Sequence, residues 1–116
     1  MEIGTIKSVH IYCHESYYVT AALNLNVKGV NYSFGGHRVF LSGMHGGKAG
    51  DFPCLGKFIF RCLQICDLDD WELLKSQKVL VNIVDNAAVA IGTLSGSDFF
   101  TPILELKSEN SIKSIK

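Results

Sequence analysis

Residues 35–50 are the part of this sequence best suited to bind a charged ligand. The stretch holds six of the eleven glycines, together with the basic side chains of Arg38 and Lys48. Consecutive backbone N–H groups in a glycine-rich loop form a concave anion site, and a nearby guanidinium or ammonium group adds charge. The sequence therefore predicts a site for a phosphate-bearing ligand here. The plainer alternative is a surface loop whose charges are incidental.

Part of this loop is close to the phosphate-binding loop of nucleotide hydrolases, over residues 42–49. That motif requires glycine where Ser42 stands, and a Mg²⁺-binding Ser or Thr where Ala49 stands. Both positions fail, so we exclude nucleotide hydrolysis and expect binding without turnover. The chain also lacks a nucleophile signature such as G-x-S-x-G, and we predict that it is not an enzyme.

Histidines and cysteines offer no recognised metal-ligand spacing. His10 and His14 are four residues apart on a predicted strand and turn, where we expect them not to share a face. Cys54, Cys62 and Cys66 fall on the apolar stripe of a predicted helix, where free cysteine packs like a small hydrophobic residue. We therefore expect no metal and no cofactor.

Aromatic residues of the first strands form a second candidate surface. The alternation of the strands predicts that Tyr12, Tyr18 and Tyr32 share one sheet face with His10. Such a face stacks a base, anchors a protein partner or simply packs in the sheet. The ligand-binding residues predicted from the loop and the aromatics together are Tyr32, Phe34, Gly35, Gly36, His37, Arg38, His45, Gly47 and Lys48.

Length and composition indicate one domain. The chain has 116 residues, is 47% hydrophobic and has a formal net charge of zero. A neutral chain is neither a polybasic nucleic-acid binder nor an acidic mimic of DNA. No signal-peptide pattern or membrane-spanning apolar run is present, which favours a cytoplasmic protein with reduced thiols. We predict a domain over residues 1–106 and a flexible polar tail over 107–116.

The elements that must position these residues indicate an α+β fold. Period-two alternation predicts five strands, and apolar residues at spacings of three and four predict a helix over 51–66, capped by Asp51. Asp69 and Glu72 fit a capping box that opens a second, short helix. We expect an antiparallel sheet of about five strands with both helices on one face, and Ile103-Leu104 packed after it. The predicted strands cover residues 8–13, 17–27, 30–34, 79–83 and 87–91.

Three collinear segments resemble a family of small, largely uncharacterised proteins encoded in bacteriophages and prophages. Phe34-Gly35-Gly36 is similar to a Phe-Gly-Gly-aromatic pattern, although His37 replaces the aromatic residue. The segment from Trp71 to Val81 is similar to Trp-Glu-x-Leu-x-Gly-Lys-x-Val-x-Val, with Ser76-Gln77 in place of Gly-Lys. The segment from Ile91 to Pro102 is similar to Ile-Gly followed by Asp-x-aromatic-x-Pro. The resemblance implies a phage origin and no known chemistry.

Small phage proteins without an enzymatic signature often act against host defences. On that association alone, we predict that this protein counters a host defence. In the first version, the loop and its neighbours sequester a nucleotide-type immune signal in the host cytoplasm. In the alternative, the protein inhibits a host nuclease or defence complex by direct binding, in the manner of an anti-CRISPR protein. A third role, as a virion or takeover accessory, stays open. An exposed strand edge beside the aromatic residues would favour a homodimer or a higher homo-oligomer.

Overall fold

The fold is a six-stranded antiparallel sheet with its helices on one face, in strand order β3-β2-β1-β4-β5-β6. The computed structural model describes residues 1–15, 18–37 and 54–106. A short 3-10 helix, Trp71–Leu74, precedes β4, and residues 102–106 form a last helical turn. The main elements are β1 (Glu2–His14), β2 (Tyr18–Val27), β3 (Val30–Gly35), α1 (Cys54–Cys66), β4 (Lys78–Val84), β5 (Ala87–Gly92) and β6 (Phe99–Phe100).

One face of the sheet, here called the core face, packs against α1. Phe58, Cys62 and Ile65 are buried, and their spacing of four and three turns one stripe of α1 toward the sheet. The rings of Phe34, Phe58 and Phe100 meet with centroids 5.5 to 5.9 Å apart. The predicted α+β class, with one main helix and a short one over an antiparallel sheet, is confirmed. The sheet has six strands where the alternation predicted about five, because the two-residue β6 is too short to show a period.

Two tight turns set the registers of the hairpins. Lys28 and Gly29 join β2 to β3, and Asp85 and Asn86 join β4 to β5, all four with positive φ. Positive φ at both central residues defines the type I′ turn, whose twist matches that of the strands it joins. Both turns lie between strands that the alternation predicted.

Arg61 fastens α1 to the end of the sheet. Its guanidinium group donates two hydrogen bonds of 3.0 Å to Asp98, one of 3.0 Å to Glu105 and one of 2.9 Å to the carbonyl of Phe99. The group also lies over the Phe100 ring, 5.4 Å from its centroid. These bonds hold the pKa of the Asp98 carboxyl below its usual value. Arg61 therefore fixes the segment that carries β6 and the 102–106 turn.

Two local predictions are wrong. The cap of the 3-10 helix is Asp70, whose carboxylate accepts the N–H of Glu72 at 2.9 Å, and not Asp69. Ile103 and Leu104 are exposed, because the 102–106 turn directs Pro102 and Leu106 inward instead. The cap predicted at Asp51 and the predicted tail at 107–116 lie outside the described residues.

Candidate functional site

A cleft of about 660 Å³ lies between β3 and β5. The curled sheet brings Cα atoms of these two strands within 8 Å of each other, although they are not hydrogen-bonded neighbours. β6 pairs only with Ile91 and Gly92, so on the side away from β4 no described strand lies beside β5 at residues 87–89. The lining residues come from both strands, from His37 and Tyr12, and from the 102–106 turn: Tyr12, Val30, Asn31, Tyr32, Ser33, Phe34, Gly35, Gly36, His37, Asn86, Ala87, Ala88, Val89, Pro102 and Ile103.

The wall of the cleft formed by β3 presents backbone hydrogen-bonding groups. The N–H of Gly36 donates to the carbonyl of Ala21 on β2 at 2.7 Å. This bond shows which residues of β3 point their backbone groups toward β2. Because backbone groups alternate in direction along an antiparallel strand, those of Asn31, Ser33 and Gly35 face away from β2. No described strand pairs with β3 on that side. These groups are available to a ligand in the cleft.

Tyr12 anchors the turn that follows β3. Its hydroxyl oxygen accepts the backbone N–H of His37 at 3.2 Å and lies 3.0 Å from Nδ1 of the same residue. Either the hydroxyl or Nδ1–H donates in this contact, depending on the tautomer of the His37 ring. The ring of His14 stacks on that of His37, with centroids 3.9 Å apart and planes within 5°. This cluster forms one end of the cleft.

Within the predicted glycine loop, two backbone N–H groups are already paired. Gly36 donates to Ala21 and His37 donates to Tyr12, so neither amide is available to a phosphate in this arrangement. Gly35 has a positive φ of 90°, and Phe58 packs where a side chain on it would lie. The glycine pair therefore serves the backbone turn and the packing of α1. Of the three described residues of the loop, only Gly35 has an amide directed toward the cleft.

The structure separates the two aromatic residues predicted to stack a base. Tyr32 is half-buried and lines the cleft, whereas the Phe34 ring is 1% exposed in the core. Phe34 is therefore a packing residue, and its predicted stacking role does not fit its position. His37 lies at the end of the cleft. The remaining predicted residues, Arg38, His45, Gly47 and Lys48, lie outside the described residues.

The predicted aromatic face is wrong for Tyr32. Tyr12 and His10 pair with Thr20 and Ala22 on β2, whereas Tyr32 pairs with Leu25. Directly paired residues share a face and successive residues alternate, so Tyr32 lies on the core face and Tyr12 on the opposite, outer face. Tyr18 pairs with His14 at the register of the outer face. His10 and His14 also share that face, contrary to the prediction, because β1 continues to His14.

The opposite wall of the cleft was missed in the sequence. Asn86, Ala87, Ala88, Val89 and Pro102 have no chemical signature, and more than fifty residues separate them from β3. Only the tertiary contact between β3 and β5 brings them together.

Among the described residues, no three His, Cys, Asp or Glu side chains converge as a metal site would require. No helix in that part of the chain is long and apolar enough to cross a membrane.

Comparison with protein-family models, curated proteins and solved structures found no match to this chain. The resemblance to phage-encoded proteins therefore stays a prediction. Three of the positions that carry it have structural roles here. Asp98 pairs with Arg61, Phe100 lies in the core, and a side chain on Gly92 would collide with the Phe99 ring. Function has to be inferred from the cleft.

Proposed function

We propose that this protein is a binding protein that holds a small ligand of nucleotide type in the cleft between β3 and β5, without turning it over. The observation that carries the proposal is the cleft itself. Its volume of about 660 Å³ falls within the range of small-molecule sites, which are roughly 300–1,000 Å³. A lining that is mostly apolar, with a few convergent polar groups, is also typical of such sites.

The chemistry of the lining favours a nucleobase over a charged group. Among the described lining residues, none is Lys, Arg, Asp or Glu. Ser33 and Asn86 supply hydroxyl and amide groups of the kind that hydrogen-bond the edge of a base, whereas the side-chain oxygen of Asn31 already accepts a bond from Asn26. Tyr32 supplies an aromatic ring, and base–aromatic stacking is worth about 1–3 kcal/mol. The backbone groups of Asn31, Ser33 and Gly35 add donors and acceptors at the same wall.

The phosphates of such a ligand require positive charge from elsewhere. The chain continues from His37 directly into Arg38, and Lys48 follows ten residues later. On sequence grounds, the proposal assigns the phosphates to these two side chains. In the phage setting that the sequence resemblance implies, the ligand is an immune signal and the protein sequesters it. Sequestration needs affinity and no catalysis.

The cleft gives no specific support to the alternative, in which the protein inhibits a host nuclease or defence complex by direct binding. Direct inhibition of a host protein through another surface stays the second candidate.

The proposal is tested by native mass spectrometry of the protein purified from infected or expressing cells, followed by calorimetric titration with cyclic and linear nucleotides. We expect a retained or added mass that contains phosphate and is released intact on denaturation. Ala88→Trp fills the cleft and should weaken binding at least about tenfold. Ser95→Trp, on the exposed 93–97 turn outside the cleft, is the matched control and should bind like the wild type.

The basic residues are tested separately. Arg38→Ala and Lys48→Ala should each weaken a phosphate-bearing ligand, and should leave the binding of the free nucleoside nearly unchanged, because only the phosphates need the charge. If Ala88→Trp leaves the affinity intact, the cleft is not the site. A protein that binds no nucleotide and copurifies with a host protein favours the inhibitor instead.

A further inference from the structure

The second half of β1, beyond its pairing with β4, has an open edge. β1 pairs with β4 over residues 2–5, and the last described backbone hydrogen bonds on that side are at Ile6, whose N–H donates to the carbonyl of Gln77 at 2.8 Å and whose carbonyl accepts the N–H of Ser76 at 2.7 Å. The 3-10 helix also lies close to β1. From Ser8 to His14, β1 pairs with β2 alone among the described strands. No described strand pairs with it on the other side. A long unpaired edge of this kind is a template for another chain.

The alternating direction of the backbone N–H and C=O groups shows which residues of β1 offer hydrogen bonds at this edge. Ala21 turns its carbonyl toward the β3 side of β2, so the alternate residues Thr20 and Ala22 face β1. Their partners on β1 are Tyr12 and His10, whose backbone groups are therefore used inside the molecule. The backbone groups of Val9, Ile11 and Cys13 face outward, so three donors and three acceptors along the edge have no partner within the described part of the chain.

The side chains at these same positions are apolar and accessible. Ile11 is 51% exposed, Cys13 is exposed, and Val9 is half-buried against the core. Val19, which pairs with Cys13, is also exposed. An apolar face beside an unsatisfied edge costs stability in an isolated chain and favours association.

The edge is self-complementary about Ile11. In an antiparallel pair of β1 strands centred there, Ile11 meets the partner's Ile11 and Val9 meets the partner's Cys13, so all three outward-facing residues take part. Lys7 at the bulge of β1 and the partner's Glu15 in the turn after β1 lie just beyond these three pairs, so opposite charges fall near both ends of the pairing. A register shifted by one pair of residues would use only two of the three outward positions, with four hydrogen bonds in place of six.

We propose that β1 pairs with β1 of a second copy of this chain, centred on Ile11, and that the protein is a symmetric dimer whose two sheets join into one. The interface is isologous, as a two-fold axis requires. It involves a short edge and a few apolar side chains, so it belongs to the small, weaker class of interfaces and depends on concentration. The proposal does not rest on the ligand or on the cleft, which lies at β3 and β5.

Sedimentation equilibrium over a concentration series tests the association. We expect a shift from the 12.8 kDa chain mass toward twice that value. Ile11→Pro removes one outward N–H and leaves the pairing with β2 intact, since that N–H does not face β2. Ile11→Lys places two like charges together across the axis. Both variants should remain monomeric at concentrations where the wild type is dimeric, and Leu73→Lys, at a similarly exposed residue, should dimerise normally.

A cysteine cross-link tests the register. Val9→Cys would bring its thiol opposite the partner's Cys13, where Cα atoms about 5.5 Å apart are within disulfide reach. Within one chain, four strand residues separate these positions by about 13 Å. Under diamide, the variant should yield a covalent dimer and the wild type should not. A wild type that stays monomeric throughout, dimers that survive both Ile11 substitutions, or a dimer without the cross-link would each overturn the proposal.

Discussion

At the residue scale, Arg61 has the most polar side-chain contacts given for any residue in the described ranges. It is 14% exposed and uses its guanidinium group against Asp98, Glu105, Gln64 and the carbonyl of Phe99. Lysine carries the same charge but cannot make the forked pair with Asp98. We expect Arg61→Lys to lower the free energy of unfolding by about 1–3 kcal/mol, measured by urea denaturation. Lys28→Ala, which breaks only an exposed ion pair with Glu2, should change it by less than about 0.5 kcal/mol.

The same pair predicts an acid-dependent loss of stability. Hydrogen bonds from Arg61 lower the pKa of Asp98, so this carboxyl binds its proton more weakly in the folded state than in the unfolded chain. Its contribution is therefore complete above the unfolded pKa of about 3.9, and is lost as the pH falls through the lower folded value. Urea titrations between pH 6 and about pH 3 should show a smaller acid-induced loss in Arg61→Lys than in the wild type. Equal losses would contradict this role.

Gly35 and Gly29 separate two costs of adding a methyl group. Both have positive φ, of 90° and 85°, but a Cβ on Gly35 would collide with the Phe58 ring, whereas nothing lies within 4 Å of one on Gly29. We expect Gly29→Ala to cost about 1–2 kcal/mol from the backbone conformation alone. Gly35→Ala should cost at least about 1 kcal/mol more, because Phe58 has to move. Thermal unfolding of the two variants measures the difference, and equal losses would exclude the contact with Phe58.

At the element scale, the turn before β4 has a backbone conformation that suits the glycine of the phage-protein pattern. Ser76 stands where the pattern has glycine, and it has a φ of 77°, which favours glycine. Its N–H donates to the carbonyl of Ile6 at 2.7 Å, which fixes the turn against β1. We expect Ser76→Gly to raise the free energy of unfolding by about 0.5–1 kcal/mol by relieving this conformation. Ser33→Gly, inside β3, should lower it instead, since glycine weakens a strand. A loss in Ser76→Gly would contradict the explanation.

Local elements were predictable from the sequence because their signals are local. The turns at Lys28-Gly29 and Asp85-Asn86 consist of residue types that are common in tight turns. The apolar stripe of α1 is visible in the sequence as apolar residues spaced three and four apart. Which face Tyr32 occupies was not predictable, because the bulge between Ile6 and Ser8 and the registers of β1, β2 and β3 decide it together. The far wall of the cleft was also hidden, since only the curl of the whole sheet brings Ala88 close to β3.

At the scale of the whole molecule, cysteine reactivity reports the packing of α1 against the sheet. Cys62 is fully buried, and burial raises its pKa well above the usual value, while the pKa of Cys66 rises to about 11. Cys13 is exposed. Because the thiolate is the reactive form, a thiol reagent at pH 8 should modify Cys13 first and Cys62 only during openings of the core. For a domain of ordinary stability, Cys62 should react about a thousandfold more slowly or more.

Peptide mass spectrometry after timed labelling resolves the individual sites. The protein has to be dilute, because pairing of β1 with a second copy would place Cys13 at the interface and slow its reaction. Added denaturant should accelerate labelling of Cys62 in step with global unfolding, while the Cys13 rate changes little in the dilute monomer. If Cys62 reacted as fast as Cys13 without denaturant, α1 would not be packed on the core face. The packing of Phe58 against Gly35, which supports the β3 wall of the cleft, would then be lost as well.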